Sequence, residues 1–419
     1  TMCLCFSELA IAESKINVSS FGKTSYSIVT GVSPTAPEQT AARELSEYLK
    51  KVTKAEFKVV SESDYTSGPA FYVGWTNKAK NIGLDGSKMN PEEWIIKTNG
   101  KDIILTGGRA RGTLYAVYHF LEDHIGIRWW NVSEEYVPSK TILKIAPISR
   151  RAEPAFIKRD ICVDGGGGEY TPFDNGLWAS HNRLNATGHR KISVENGYDG
   201  GLTNWPLPWV AHTLTGYVFS AEEAKTHPDR YGWNGESRDP QKLCMTNPEV
   251  RQMAVDWYDK YVTQTQTDAV NSGQPIPRLF NMSEADTASK ACWEPNCTAI
   301  RNREGCEAGV LLDFINDVAG KLKEKHPDDI FETLAYWNTD TPPKTTKPAS
   351  NVGIRLCDVE AILALPITHP LNKRYEDKVR GWGKITKHLH IWDYGMSYIV
   401  PEPPLTMEFC LQADYKLFR

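Results

Sequence analysis

Apolar residues follow two rhythms along this chain. Short runs bounded by turn residues mark strands, and stripes recurring every three or four positions mark helices. In the N-terminal third, Tyr26–Thr30, Phe57–Val60 and Ala70–Val73 read as strands. Ala41, Leu45, Tyr48, Leu49 and Val52 share one face of a helix opened by Pro37, where a missing N–H costs nothing. Trp94–Thr98 and Asp102–Thr106 flank Asn99-Gly100, a strong hairpin signal, and Gly107-Gly108 ends the hairpin. Leu114, Val117, Tyr118 and Leu121 line a second helix that Gly126 closes. The order predicts a small α+β domain over residues 19–148, preceded by an arm of residues 1–18.

Pro147 and Pro154 bracket a linker, after which strand and helix patterns alternate. Phe156–Val163, Pro277–Asn281, Phe331–Trp337, Val352–Cys357 and His388–Tyr394 read as strands, while Pro248–Tyr261, Val310–Leu322, Tyr375–Ile385 and Leu405–Phe418 read as helices. Asn182 falls on a further predicted helix. Such alternation argues for βα units and a parallel sheet. The predicted class is α/β, with residues 149–419 forming an incomplete (β/α)8 TIM-like barrel. At most about six barrel strands are counted against the eight of a closed barrel. The chain stops inside its last helix, so truncation at the C-terminus is expected.

Composition narrows the class of partner. Over 419 residues the net charge is -4, with no basic block, so a nucleic-acid partner has no electrostatic footprint. No apolar run is long enough to cross a bilayer. Ala10-Ile11-Ala12 resembles the small-residue site at which a leader is cleaved, with Glu13 opening the mature chain. The expectation is a signal-peptide remnant and a secreted, periplasmic or cell-surface protein.

The candidate chemistry sits at the ends of the predicted strands. Leu279 to Asp286 reads Leu-Phe-Asn-Met-Ser-Glu-Ala-Asp, so an apolar run ends and two carboxylates follow. Arg159 and Asp160 lie in the Phe156–Val163 run with Asp164 beyond it, Asp358 follows Val352–Cys357, and Trp392-Asp393-Tyr394 closes the last strand. In a barrel these ends share one rim. For any single residue a buried pair or a loop contact explains it equally well; as a group they suit a sugar site, with rings to stack on and hydroxyl partners. Glycoside hydrolysis needs one group to protonate the leaving oxygen and another to stabilise the developing cation. Glu284 or Asp286 is the expected general acid. Trp337, Trp392 and Tyr394 are expected to form a sugar platform, and Arg159, Asp160, Asn182, His212, Asn281, Tyr336 and Asp393 to line the pocket.

Rival chemistries are weaker. Cys292-x4-Cys297-x8-Cys306 offers thiolates, but the spacing is no standard zinc pattern, so a disulfide between two of the three is expected rather than a metal. His388-x-His390 reads as strand packing. Gly165–Gly168 lacks the Lys-Ser/Thr of a phosphate loop and reads as a rim loop. No cofactor is expected. A non-catalytic carbohydrate-binding protein is the alternative from another class, and a metal-dependent hydrolase comes third.

The residues also resemble known families. Gly107-Gly-Arg-Ala-Arg-Gly-Thr-Leu-Tyr-Ala-Val-Tyr-His-Phe-Leu121 with Gly126-Ile-Arg-Trp-Trp130 resembles the N-terminal domain that precedes the barrel of α-glucuronidases and β-hexosaminidases. Trp178–Leu184, His227-Pro-Asp-Arg-Tyr231, Gln241–Val250, Tyr336–Pro343 and His390-Ile-Trp-Asp-Tyr394 resemble the bacterial domain-of-unknown-function 4838 family, some of whose members are classed as glycoside hydrolase family 163. This resemblance implies a secreted, glycan-degrading enzyme with a hexosaminidase-like barrel, similar to endo-β-N-acetylglucosaminidases that cut the chitobiose core of complex N-glycans. It also implies a tighter Cys-x-Cys-x2-Cys-like cluster after the acid segment than this chain has, and a further Glu in strands beyond Arg419. The expected partner is a glycan or glycoprotein.

Overall fold

The computed structural model describes residues 15–161, 176–185, 192–202, 206, 211–220, 222–286, 291–395 and 407–419. The leader reading, Asp164 and the Gly165–Gly168 loop lie outside the described residues. The chain divides into two compact units, Thr1–Asp199 and Gly200–Arg419.

The first unit is built on a six-stranded mixed sheet. Its strand order is Ser149–Ala152, Trp94–Asn99, Asp102–Gly107, Ala70–Val73, Ser27–Thr30 and Val59–Ser61. The Asn99-Gly100 turn forms as its residues dictate, with Gly100 at φ +62° and Asn99 paired with Asp102. The helix Ala36–Thr53 carries Pro37 in its first turn, and Glu38 closes a capping box on the Thr35 backbone. Its predicted apolar face, Ala41 to Val52, is buried. Gly112–His119 continues through a wider turn, Phe120–Ile125, to Gly126 in the left-handed region. The two helices bury Leu45, Leu49, Leu114 and Val117 against Phe71 and Leu105 in one core.

Ser149–Ala152 is the antiparallel edge strand of this sheet, beside Trp94–Asn99. The described part of Phe156–Val163 is not a strand. The reason is local: the Arg159 N–H goes to Asn185 Oδ1 at 2.9 Å instead of to a neighbouring strand. Asn182 lies just past the short helix Gly176–His181, not within it.

The second unit holds a four-stranded parallel sheet in the order Leu279–Asn281, Ile330–Ala335, Val352–Cys357, Leu389–Trp392. Ile330–Ala335 and Val352–Cys357 are buried at every position, as parallel strands covered on both faces must be. The described residues of the second unit contain these four parallel strands and not the eight of a closed barrel. Helices Ala308–Leu322 and Lys373–Ile385 pack Phe314, Ile315, Val379 and Trp382 into the core with Phe331, Ile354 and Leu356. Pro248–Asn271 runs beyond the predicted end at Tyr261; burial stops at Val262, and the polar tail is braced by Gln264 donating to Asp268 one turn on.

Candidate active site

Parallel strands end on one side of their sheet, and ligand chemistry in α/β proteins gathers there. In the second unit this edge carries Ser283–Asp286, Tyr336-Trp337, Asp358 and Asp393-Tyr394. The segment at His212–Leu214 joins it, because the Leu214 N–H donates to Ser283 O at 3.0 Å and the His212 N–H to Ser283 Oγ at 2.7 Å. His212 is in the left-handed region, φ +58°, which turns its ring so that Nδ1 lies 2.7 Å from Glu284 O. The ring also stands 6.4 Å from that of Tyr336.

The two acids after Asn281 have different surroundings. Glu284 Oε1 accepts from Lys242 Nζ at 2.6 Å, and Lys242 also reaches Glu307 at 3.2 Å. The Lys242 side chain is only 2% exposed; burial opposes its charge, yet the two carboxylates push its pKa above the ordinary range. Asp286 lies instead near the phenol of Tyr336. Burial pushes the Tyr336 pKa up, and Asp286 adds to that shift.

A second pair of acids stands on the neighbouring strands. Cys357 is opposite Trp392 in the parallel register, so Asp358 and Asp393 occupy the next step on both strands. Side chains one step on in adjacent parallel strands leave the same face about 4.8 Å apart. Asp358 is buried, and burial first and the Asp393 charge second push its pKa up to about 8. Burial likewise raises Asp393, with Asp414 contributing. Such a pair titrates as a unit and retains a proton at neutral pH. The Tyr394 N–H donates to Asp358 Oδ1 at 2.9 Å, and the buried Tyr375 phenol lies within the field of both acids. Burial raises the Cys357 thiol to about 12, and the Asp358 and Asp286 charges add to that shift.

Two aromatic pairs flank these carboxylates. Tyr336 and Trp337 meet edge to face at 5.5 Å, with Trp337 51% exposed and at φ +51°. Trp392 and Tyr394 stack at 6.1 Å and 27°, and the Arg355 guanidinium lies 5.2 Å above Trp392. Beneath the edge, Glu332 is buried between Arg355 and His390. Burial raises the Glu332 carboxyl, but the Arg355 and His390 side chains outweigh it and hold the pKa at about 2. His390 is therefore a hydrogen-bond partner of the buried Glu332, where the sequence suggested plain packing.

The other predicted residues are placed elsewhere. Asn281 is buried below the edge, its Oδ1 accepting from Ser283 Oγ at 2.7 Å. Arg159, Asp160 and Asn182 belong to the first unit. Arg159 donates to both oxygens of Glu92, to Tyr115 and to two backbone carbonyls, which commits all five of its N–H groups there. Asn182 donates to the carbonyls of Trp129 and Trp178. Asp160 Oδ1 accepts from the Ile161 N–H. Sequence reasoning set Asp358 in the strand-end group but gave it no role in the pocket or the chemistry, although its place directly after a strand, matching Asp393 after the next, was the available signal. The expected disulfide is absent among the described residues. Cys244, Cys292, Cys297 and Cys306 are free, and the cysteine that joins Cys292 and Cys297 is Cys244.

No protein of curated function matches the chain. The family described as Domain of unknown function (DUF4838) matches residues 129–419, and that described as Glycosyl hydrolase family 67 N-terminus matches residues 9–120. Among solved structures, a GH20 β-N-acetylhexosaminidase from Streptomyces coelicolor is 9% identical with a TM-score of 0.51, over 95% of this chain and 76% of that one. That similarity is one of fold. A family GH115 4-O-methyl-α-glucuronidase with specificity for decorated arabinogalactans is 11% identical with a TM-score of 0.49, over 96% of this chain; the chain spans about half, 53%, of that enzyme. A β-N-acetylhexosaminidase from Bacteroides fragilis is 11% identical with a TM-score of 0.43, over 89% of this chain and 70% of that one. No helix among the described residues is long and apolar enough to cross a membrane.

Proposed function

The chain belongs to the DUF4838 family, and from that membership we propose that it is a glycoside hydrolase whose proton donor is the Asp358–Asp393 pair. The observation that carries this reading is the pair itself: two carboxyls on adjacent strand ends, sharing a proton beside the half-buried rings of Trp392 and Tyr394. Protonation of the glycosidic oxygen needs a carboxyl that is still protonated at working pH, and burial with a like-charged neighbour produces one. Asp393, less buried than Asp358, is the member placed to hand the proton over.

The second requirement is negative charge facing the cation that develops as the bond breaks. Asp286 and Glu284 stand on the same edge and suit that task. We therefore assign proton donation to the aspartate pair rather than to Glu284, whose ion pair with Lys242 favours a charge-stabilising role. Trp337, Trp392 and Tyr394 would pack on the C–H faces of the sugar rings, with His212 and Tyr336 between the acids and the aromatic wall.

The resemblance to glycoside hydrolase family 163 suggests the substrate: complex N-glycans cut within the chitobiose core by an exported protein. The test is incubation of the protein with a biantennary N-glycoprotein, followed by mass spectrometry of released glycan. Release that falls by roughly 10²–10⁴-fold in Asp393→Asn supports the assignment. Glycan binding without turnover would instead identify a carbohydrate-binding protein.

A further inference from the structure

We propose that Cys244, Cys292 and Cys297 form a thiolate site for a soft divalent cation, zinc by preference. The three sulfurs lie within 4.8 Å of one another and all three residues are buried. Zinc binds thiolate at about 2.3 Å, so tetrahedral ligands stand about 3.8 Å apart, a spacing this cluster reaches with little movement. The cysteines come from two segments. Cys244 follows the strand Arg238–Leu243, Cys292 precedes the helix Pro295–Glu304, and Cys297 lies in that helix's first turn.

A buried cysteine is often no more than a small apolar residue and needs no polar neighbours. Two of these sulfurs have them. Thr246 Oγ1 lies 3.1 Å from Cys297 Sγ and 3.7 Å from Cys244 Sγ. Cys297 also sits at the N-terminal end of a ten-residue helix, where the backbone favours negative charge. The three thiols, crowded together and buried, have pKa values above the ordinary range, so a cation that binds must displace their protons. A disulfide would use two of the three sulfurs and leave the third unexplained. Three protein thiolates leave a fourth tetrahedral position for water or another small donor.

The site would also brace the carboxylate edge without depending on any catalytic assignment. Lys242, the partner of Glu284, lies two residues before Cys244. Arg301, from the helix that carries Cys297, donates to Cys292 O and pairs with Glu307, the second partner of Lys242.

The test is zinc and cobalt binding by the reduced full chain. After equilibration with zinc chloride and dialysis, elemental analysis should find one equivalent of zinc per chain. Cobalt in its place should give the intense near-ultraviolet thiolate charge-transfer band of a tetrahedral sulfur-rich site. Cys244→Ser and Cys297→Ser should lose the metal and the band, while Cys306→Ser keeps both. The cobalt spectrum of the unaltered protein needs no variant to fold. Zinc that does not survive dialysis, a cobalt spectrum without the thiolate band, or a disulfide between any two of the three in non-reduced peptide mapping would overturn the site.

Discussion

Asp358 and Asp393 leave adjacent parallel strands at the same register step, immediately beyond the paired residues Cys357 and Trp392. Burial keeps a proton on this pair, with the Asp358 carboxyl raised to about 8. Hydrolysis that uses this proton should fall as pH rises through about 8. Asp393→Asn and Asp358→Asn should each lower kcat/KM by roughly 10²–10⁴-fold, the usual range for losing a positioned acid. A pH–rate profile checks the limb, and its persistence unchanged in both variants would remove the pair from the mechanism.

The same shift has a consequence for stability. The folded carboxyl of Asp358 binds its proton more tightly than the unfolded one, whose ordinary value is about 3.9. Its stabilising contribution is therefore complete below about pH 4 and is lost as pH rises toward about 8. Asp358→Asn removes the titration. Relative to the unaltered protein, its urea midpoint should rise between about pH 4 and about pH 8, the range over which the linkage acts.

Glu332 has the opposite sign. Arg355 and His390 hold its carboxyl at about 2 against burial, below the ordinary value. The carboxylate's contribution is present above about pH 4 and is lost as pH falls toward about 2. Glu332→Gln leaves the buried Arg355 guanidinium without its anion and should cost about 3–5 kcal/mol, the range for breaking a buried pair from one side. Urea unfolding at pH 7 measures the loss, and an acid midpoint that no longer tracks this carboxyl confirms its source.

Much of this architecture was legible in the sequence, because it rests on local signals. The Asn99-Gly100 hairpin, the buried face of Ala36–Thr53 and the parallel strands near Ile330 and Val352 needed only turn chemistry and periodicity. Pairings across space did not announce themselves. Asp358 and Asp393 meet through strand register, and Cys244 reaches Cys292 and Cys297 through tertiary packing. Arg159 shows the converse error: an arginine in an apolar run suggested a barrel rim, but Glu92 and the Arg183 carbonyl claim its donors inside the first unit.

Trp337 offers a test of the aromatic wall that leaves the fold alone. Its indole is half exposed and contacts Tyr336 edge to face, so little core packing depends on it. Aromatic contacts of this kind are worth about 0.5–1.5 kcal/mol. Trp337→Ala should therefore raise KM, or the Kd for a glycan, by roughly 2- to 12-fold with little change in Tm. Calorimetric titration with an N-glycan measures the effect, and an unchanged Kd would place the sugar elsewhere.

The Gly107-Gly-Arg-Ala-Arg-Gly112 motif invites a functional role, and its geometry argues for a structural one. Arg109 pairs with Glu38 at 2.9 Å and lies 3.9 Å over the Trp75 ring, while Arg111 pairs with Glu92 at 2.7 Å. The glycines let the chain pass against the backbone at Asn90–Glu93. A Cβ on Gly108 would stand 1.8 Å from Asn90 O, and one on Gly112 would stand 2.2 Å from Glu93 O. Neither oxygen is the end of a flexible side chain, so the backbone itself must shift. Gly108→Ala should destabilise the first unit by roughly 1–3 kcal/mol or more, the cost of overpacking a closed interior. Chemical denaturation checks the stability. Because the motif lies outside the carboxylate edge of the second unit, glycan turnover by the folded fraction should stay the same, and a selective loss of kcat with stability intact would give these residues a part in the reaction.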